Sequence, residues 1–117
     1  MKIGLTRGGF TLIEIMIVVS VISCLAAISI PNFVKARSIS QKTVCINNLR
    51  QINSAMQQWA LEAKKGPSST VSATDVLPYL KGSVQCPAGG TSFGDSYQLT
   101  TVANEPTCLK AAPSHTL

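Results

Sequence analysis

Residues 10–30, FTLIEIMIVVSVISCLAAISI, contain a single charged side chain, Glu14. About 20 apolar residues at 1.5 Å rise per residue form a helix some 30 Å long, the thickness of a bilayer's hydrocarbon core. Such a run folds as a membrane helix or as the core of something larger, and Glu14 is costly in both settings. A carboxylate at the centre of a membrane helix is disfavoured by roughly 2.5–3.5 kcal/mol, and ionisable residues placed there are functional by default. Near the end of the span, the same side chain reaches interfacial water. A functional reading requires a positive partner at the same depth. The run supplies none, since the nearest cations are Lys2, Arg7 and Lys35. Cleavage after Gly9 would create one in the new α-amino group of Phe10, and Glu14 of one subunit would then neutralise the amine of its neighbour.

The first nine residues, MKIGLTRGG, are short, basic and end in small residues, like the n-region of a targeting signal. Pro31 follows the apolar run. It removes the N–H that would bond the carbonyl of Ala27, so a kink is expected there. Residues 32–65 hold no Gly or Pro. Within them Cys45, Leu49, Ile52, Met56, Trp59 and Ala63 recur at spacings of three and four, one face of an amphipathic helix. Asn47, Asn48, Arg50, Gln51, Ser54, Gln57 and Gln58 fill the other side. Lys64 and Lys65 suit the last turn, and Gly66-Pro67 stops the helix. Beyond a GPSSTVS loop, residues 72–82 predict a short helix capped by Ser72 or Thr74 and shortened by Pro78. Short β-like runs follow, the best at residues 97–102, with others near Val84, residues 91–93 and residues 107–109. The expected fold class is α+β: one long helix over residues 10–65, transmembrane in its first half and amphipathic in its second, packed on a small antiparallel sheet. Four segments result: a leader (1–9), a transmembrane helix (10–30), an amphipathic helix (31–65) and a loop and β head (66–117).

The net charge of +5 includes Lys2 and Arg7, and no run of Lys and Arg is interleaved with aromatics, so nucleic acid is not indicated by charge. Catalysis is poorly supported. His115 lies near the C-terminus, where disorder is the usual explanation. Glu62, Asp75, Asp95 and Glu105 are scattered without paired spacing, and no G-x-S-x-G elbow occurs. The expectation is a chain that is not an enzyme. Cys24, Cys45, Cys86 and Cys108 include no C-x-x-C pair and give no zinc signature, so no metal or cofactor is expected. Val21-Ile22-Ser23-Cys24 resembles a lipoprotein cleavage box. Against it stand Glu14 inside the would-be signal and the apolar residues 25–30 after the cysteine. Cys24 reads better as a buried apolar thiol.

RGGFTLIEIMIVVSVI resembles the N-terminus of type IV pilin-like proteins: type IV pilins, type II secretion pseudopilins and competence pseudopilins. The resemblance implies a prepilin. A prepilin peptidase would cut after Gly9 and methylate the Phe10 amine. Glu14 would be the acid implicated in subunit register and assembly, and Pro31 falls where relatives commonly carry a helix-kinking proline. The chain would be held in the bacterial inner membrane with its head outside the cytoplasm. An inner-membrane assembly platform and ATPase would then move it into a periplasmic or extracellular helical homopolymer, with minor pilins as further partners. The leading expectation is the structural subunit of a type IV pilus-like filament. The alternatives are a pseudopilin of a type II secretion system moving folded proteins across the outer membrane, a competence pseudopilin, and a membrane-anchored binding protein capturing DNA or a secretion substrate.

Many type IV pilins join two cysteines near the C-terminus. By that resemblance Cys86 and Cys108, 22 residues apart, are expected to pair. Closing such a loop stabilises by about 3 kcal/mol in the chain-entropy model. Cys45 on the apolar stripe remains either a core thiol or a competing partner. Major pseudopilins of type II secretion usually bind calcium through an acidic C-terminal loop. Here Asp95 and Glu105 are the only acids after Asp75, too few for that site.

Overall fold

The computed structural model describes residues 8–111 and 115–117. The expected leader therefore lies outside the described residues except for Gly8 and Gly9. The chain divides into two compact units, Met1–Ala36 and Arg37–Leu117. One helix, α1 (Leu12–Glu62), contributes to both.

In the first unit the backbone is irregular from Gly8 to Thr11, and α1 starts at Leu12. Thr11 explains the start: its Oγ1 accepts the N–H of Glu14 at 3.3 Å, satisfying one of the first-turn donors. Thr11-Leu12-Ile13-Glu14 is thus a T-x-x-E helix-start sequence, with the acid in the first turn where the helix dipole favours it. Pro31 lies inside α1, and helical backbone continues on both sides of it.

The second unit is built on the other part of α1. Cys45, Leu49, Ile52, Ala55, Met56 and Ala60 are buried and Trp59 is half-buried, while Ala63 falls outside the core. Against this stripe pack Val71, Val76, Val84, Cys86, Tyr97, Val102 and Cys108. The polar flank is not simply solvated. Asn48 Nδ2 donates to the Gln85 carbonyl (3.1 Å) and the Tyr97 hydroxyl (2.9 Å), and Gln57 Nε2 donates to the Val102 carbonyl (3.0 Å). These amides satisfy backbone groups of the irregular head, which has little regular structure to do so.

The helix ends differently from the sequence expectation. Lys65 N–H bonds the Ala60 carbonyl (2.8 Å) and Lys64 N–H the Leu61 carbonyl (3.4 Å), with Lys64 at φ +51°. This is the double bonding of a Schellman turn, with lysine in the left-handed position usually held by glycine. Lys64 and Lys65 therefore lie past the helix, and the stop precedes Gly66-Pro67.

The short helix α2 (Ala73–Val76) follows the loop. Ser72 caps it: Asp75 Oδ2 accepts from the Ser72 N–H (3.0 Å) and hydroxyl (2.6 Å). Pro78 lacks an N–H, and the chain tightens into a 3₁₀ turn over Leu77–Tyr79. Residues 91–93, expected to be extended, instead lead into α3 (Phe93–Ser96), because Ser92 Oγ accepts the Asp95 N–H (3.3 Å). The sheet has two strands, β1 (Tyr97–Gln98) and β2 (Thr107–Cys108), antiparallel with Tyr97 opposite Cys108. The expected strand over 97–102 is divided between two partners, since Thr101 bridges Thr70 beyond the point where β2 ends. Val84 is buried without belonging to a strand.

Candidate functional site

Two places gather the chemistry, one in each unit. In the first, Gly8, Gly9 and Phe10 lie exposed on irregular backbone just before α1, and Glu14 is exposed in its first turn. The apolar side chains beyond are exposed on every side of the helix: Leu12, Ile13, residues 15–19, Val21, Ile22, Leu25, Ile28 and Ile30 all show more than half their surface or close to it. The stretch is long and apolar enough to cross a membrane, and none of it is buried within the chain. Two of its serines carry their own partners. Ser20 Oγ donates to the Met16 carbonyl and Ser23 Oγ to the Val19 carbonyl, both at 2.8 Å. Hydroxyls satisfied inside the helix leave an outer surface fit for lipid or for other apolar helices. Glu14 is then the exception on this surface, with no ion-pair partner among the described residues.

In the second place, Cys45, Cys86, Cys108 and His115 come together. The three sulfurs and one imidazole nitrogen all lie within 4.8 Å of one another. The cysteines are free thiols, with Cys86 Sγ and Cys108 Sγ 3.6 Å apart. Relative exposure is 0 % for Cys45 and Cys86, 2 % for Cys108 and 6 % for His115. His115 Nδ1 is shut away from solvent without a hydrogen-bond partner. Burial, reinforced by contacts with Cys108 and Cys86, pushes the Cys45 thiol up to about 12. Burial also pushes on Cys108, but contacts with Cys45 and the backbone N–H groups of Lys110 and Ala111 outweigh it and bring that thiol below its ordinary value. Tyr97 is raised by burial, against the opposing hydrogen bond from Asn48.

Comparison with known proteins bears first on the N-terminus. Residues 5–30 match the prokaryotic N-terminal methylation motif. Over a longer stretch the chain is 32 % identical to the competence protein ComGC of Bacillus subtilis, across 73 % of this chain and 86 % of that protein. The chain belongs to the type IV pilin-like family. It is also 46 % identical to the type IV major pilin protein PilA of Myxococcus xanthus, across 46 % of this chain and 24 % of that pilin. With the type II secretion system core protein G of Pectobacterium carotovorum it shares 27 % identity, across 56 % of this chain and 42 % of that protein. The chain thus spans less than half the length of the pilin and secretion relatives it matches. No solved structure is a significant match.

For this pilin-like chain, the structure puts Gly9, Phe10 and Glu14 within one short exposed stretch and Pro31 farther along the same helix. Cys86 and Cys108, expected to pair, are neighbours but unbonded, and they share their place with two further residues. The placement of Cys45 was readable from the helical stripe. His115 was not: it is buried against the cysteines, contrary to the expectation of a disordered tail residue. The nearest sequence signal is the Cys86-Pro87-Ala88-Gly89-Gly90 turn, which turns the chain sharply at a cysteine. Gly90 N–H bonds the Cys86 carbonyl (2.8 Å) and Gly89 has φ +109°.

Proposed function

We propose that this chain is the structural subunit of a type IV pilus-like filament rather than a catalyst. It is made as a prepilin, held in the inner membrane by residues 10–30 with the head outside the cytoplasm, cut after Gly9 and N-methylated at Phe10 by a prepilin peptidase. An assembly platform and its ATPase then move it into a helical homopolymer whose core is the bundled apolar helices. The observation that carries this reading is an apolar helix exposed on all sides, bearing one acid a turn after Gly9-Phe10. Moving from lipid into a bundle of like helices keeps the surface apolar, so packing and pairing decide the arrangement. Glu14 pairing with the Phe10 amine of a neighbour sets the stagger, because an unpaired charge in such a core is disfavoured by about 3–5 kcal/mol.

A competence pseudopilin is the second reading, favoured by the extent of the match to ComGC compared with PilA. Both readings share the processing step, which is tested by producing the chain with a prepilin peptidase and sequencing its N-terminal peptide by mass spectrometry. The expected peptide begins at N-methylated Phe10, and Gly9→Val leaves the leader attached. An uncut leader in wild type, or a lipidated N-terminus at Cys24, would sink the proposal.

A further inference from the structure

We propose that Cys45, Cys86, Cys108 and His115 form a closed tetrahedral site for one zinc-type divalent metal ion. The proposal goes beyond the filament reading and stands independently of it. Four ligands of types favoured by zinc, three thiols and one imidazole, come from four separate segments: the α1 stripe, the turn after Val84, strand β2 and the C-terminal segment. Their donor atoms lie within 4.8 Å of one another. Zinc–sulfur bonds of about 2.3 Å place two sulfurs of a tetrahedron roughly 3.8 Å apart. The Cys86–Cys108 separation of 3.6 Å is close to that edge, and far from the roughly 2.05 Å of a disulfide.

The orphaned nitrogen is the second, independent observation. A buried imidazole nitrogen without a partner is disfavoured by about 1–3 kcal/mol, and native structures contain few such atoms. His115 Nδ1 is in this position, on a residue held among three cysteines. A metal ion bound through Nδ1 satisfies it; a Cys86–Cys108 disulfide leaves it, and Cys45, unexplained. Nearby hydrogen-bond donors also favour thiolates. The N–H groups of Lys110 and Ala111 approach Cys108 Sγ. Asn48 donates to the Tyr97 hydroxyl, which frees the hydroxyl proton to face Cys45 Sγ. Hydrogen bonds of this kind orient ligands and stabilise their charge.

Soft thiolates with an imidazole select zinc over calcium or magnesium. Four protein ligands leave no open position, so the ion is structural. On binding, each thiol gives its proton to solvent and coordinates as thiolate, while His115 binds neutral. The ion ties the C-terminal segment and the residue 84–90 turn to the helix, a staple for a head whose regular structure is two short strands and single helical turns. The expectation of a metal-free chain is replaced by this assignment.

The test uses the untagged full chain in detergent micelles, prepared under reducing conditions, loaded with zinc or cobalt and dialysed against a weak chelator. One metal ion per chain is expected by elemental analysis. The cobalt form should show thiolate-to-cobalt charge transfer and intense tetrahedral ligand-field bands. His115→Ala and Cys45→Ser should each weaken binding by more than the roughly 10–100-fold typical of supporting residues. His115→Cys should retain the ion with shifted bands, which separates loss of a ligand from loss of the fold. Wild type that holds no metal after dialysis, or that acquires a Cys86–Cys108 disulfide in the presence of zinc, would overturn the proposal. Undiminished binding by His115→Ala would overturn it as well.

Discussion

The two parts of α1 make opposite use of the same backbone. In the part belonging to the second unit, apolar residues follow a stripe, and every member from Cys45 to Met56 is buried by the head. In the part belonging to the first unit, apolar residues cover all sides and are buried by nothing in the chain. A stripe can be satisfied by one small partner within the same chain, whereas an all-round apolar surface demands a surrounding medium, either lipid or other helices. The first part is therefore specified by what it will later touch, and the second by what it already touches. Substitutions in the two parts should separate cleanly.

The largest effect on the head should come from Leu49→Ala or Ile52→Ala. Both residues are fully buried, and truncation at such sites destabilises by about 2–5 kcal/mol. Urea unfolding followed by the fluorescence of Trp59, the single tryptophan, measures it. Ile17→Ala, in the exposed part, should leave the same transition unmoved. An equal shift would erase the contrast between the two parts.

Gly90→Ala should follow, with a loss of about 1–3 kcal/mol from overpacking. A methyl group there would sit 2.9 Å from the nitrogen and oxygen of Cys86 and would strike Ser96 Oγ. The Ser96 hydroxyl also accepts the Cys86 N–H (3.0 Å), so the residue 86–90 turn has little room to yield. Gly94→Ala, with open space around its Cα, is the control in the same measurement.

A smaller change of opposite sign is expected at Lys64. Its left-handed backbone disfavours a side chain by about 1–2 kcal/mol, so Lys64→Gly should raise the urea midpoint by up to that amount, less the extra freedom glycine gains when unfolded. A lowered midpoint would mean that the helix end is not held as described.

The smallest effect concerns Asp95. Lys110 Nζ lies 2.6 Å from its Oδ1 and holds the carboxyl below the usual range, helped by the Thr91 N–H. Because the folded value is depressed, ionised Asp95 favours the folded head above the unfolded value of about 3.9. That contribution fades as pH falls through the folded value. The difference in urea midpoint between wild type and Asp95→Asn should therefore be present at neutral pH and vanish in acid. A difference that grows on acidification would contradict the sign.

Much of this was legible in the sequence because periodicity is a strong signal over long stretches. The apolar run, the stripe from Cys45 to Trp59 and the capping role of Ser72 all emerge in the structure. What escaped depended on long-range partners. Residues 97–102 have strand-like character throughout, yet residues 107–108 pair with only two of them and Thr70 with another. Asn48 and Gln57 look like solvated polar residues, but an irregular head leaves carbonyls that need donors. Lys64 bears no mark of a left-handed residue. His115 is placed by contacts with residues far away in sequence, and no local pattern announces it. The cap at Thr11 also went unread: its hydroxyl takes the Glu14 backbone N–H, so Glu14 serves the helix start through its backbone and leaves its carboxylate for a neighbour's amine.

These two roles of Glu14 are separated by removing its charge while keeping its shape. The direct test is Glu14→Gln in cells that carry the peptidase and assembly machinery, scored by sheared surface filaments. Wild type should form filaments. The variant should be processed at Gly9 and accumulate in the membrane with an unchanged head, yet yield none. Filaments from Glu14→Gln at wild-type yield would contradict this, and would leave Glu14 with only its backbone part in the helix start.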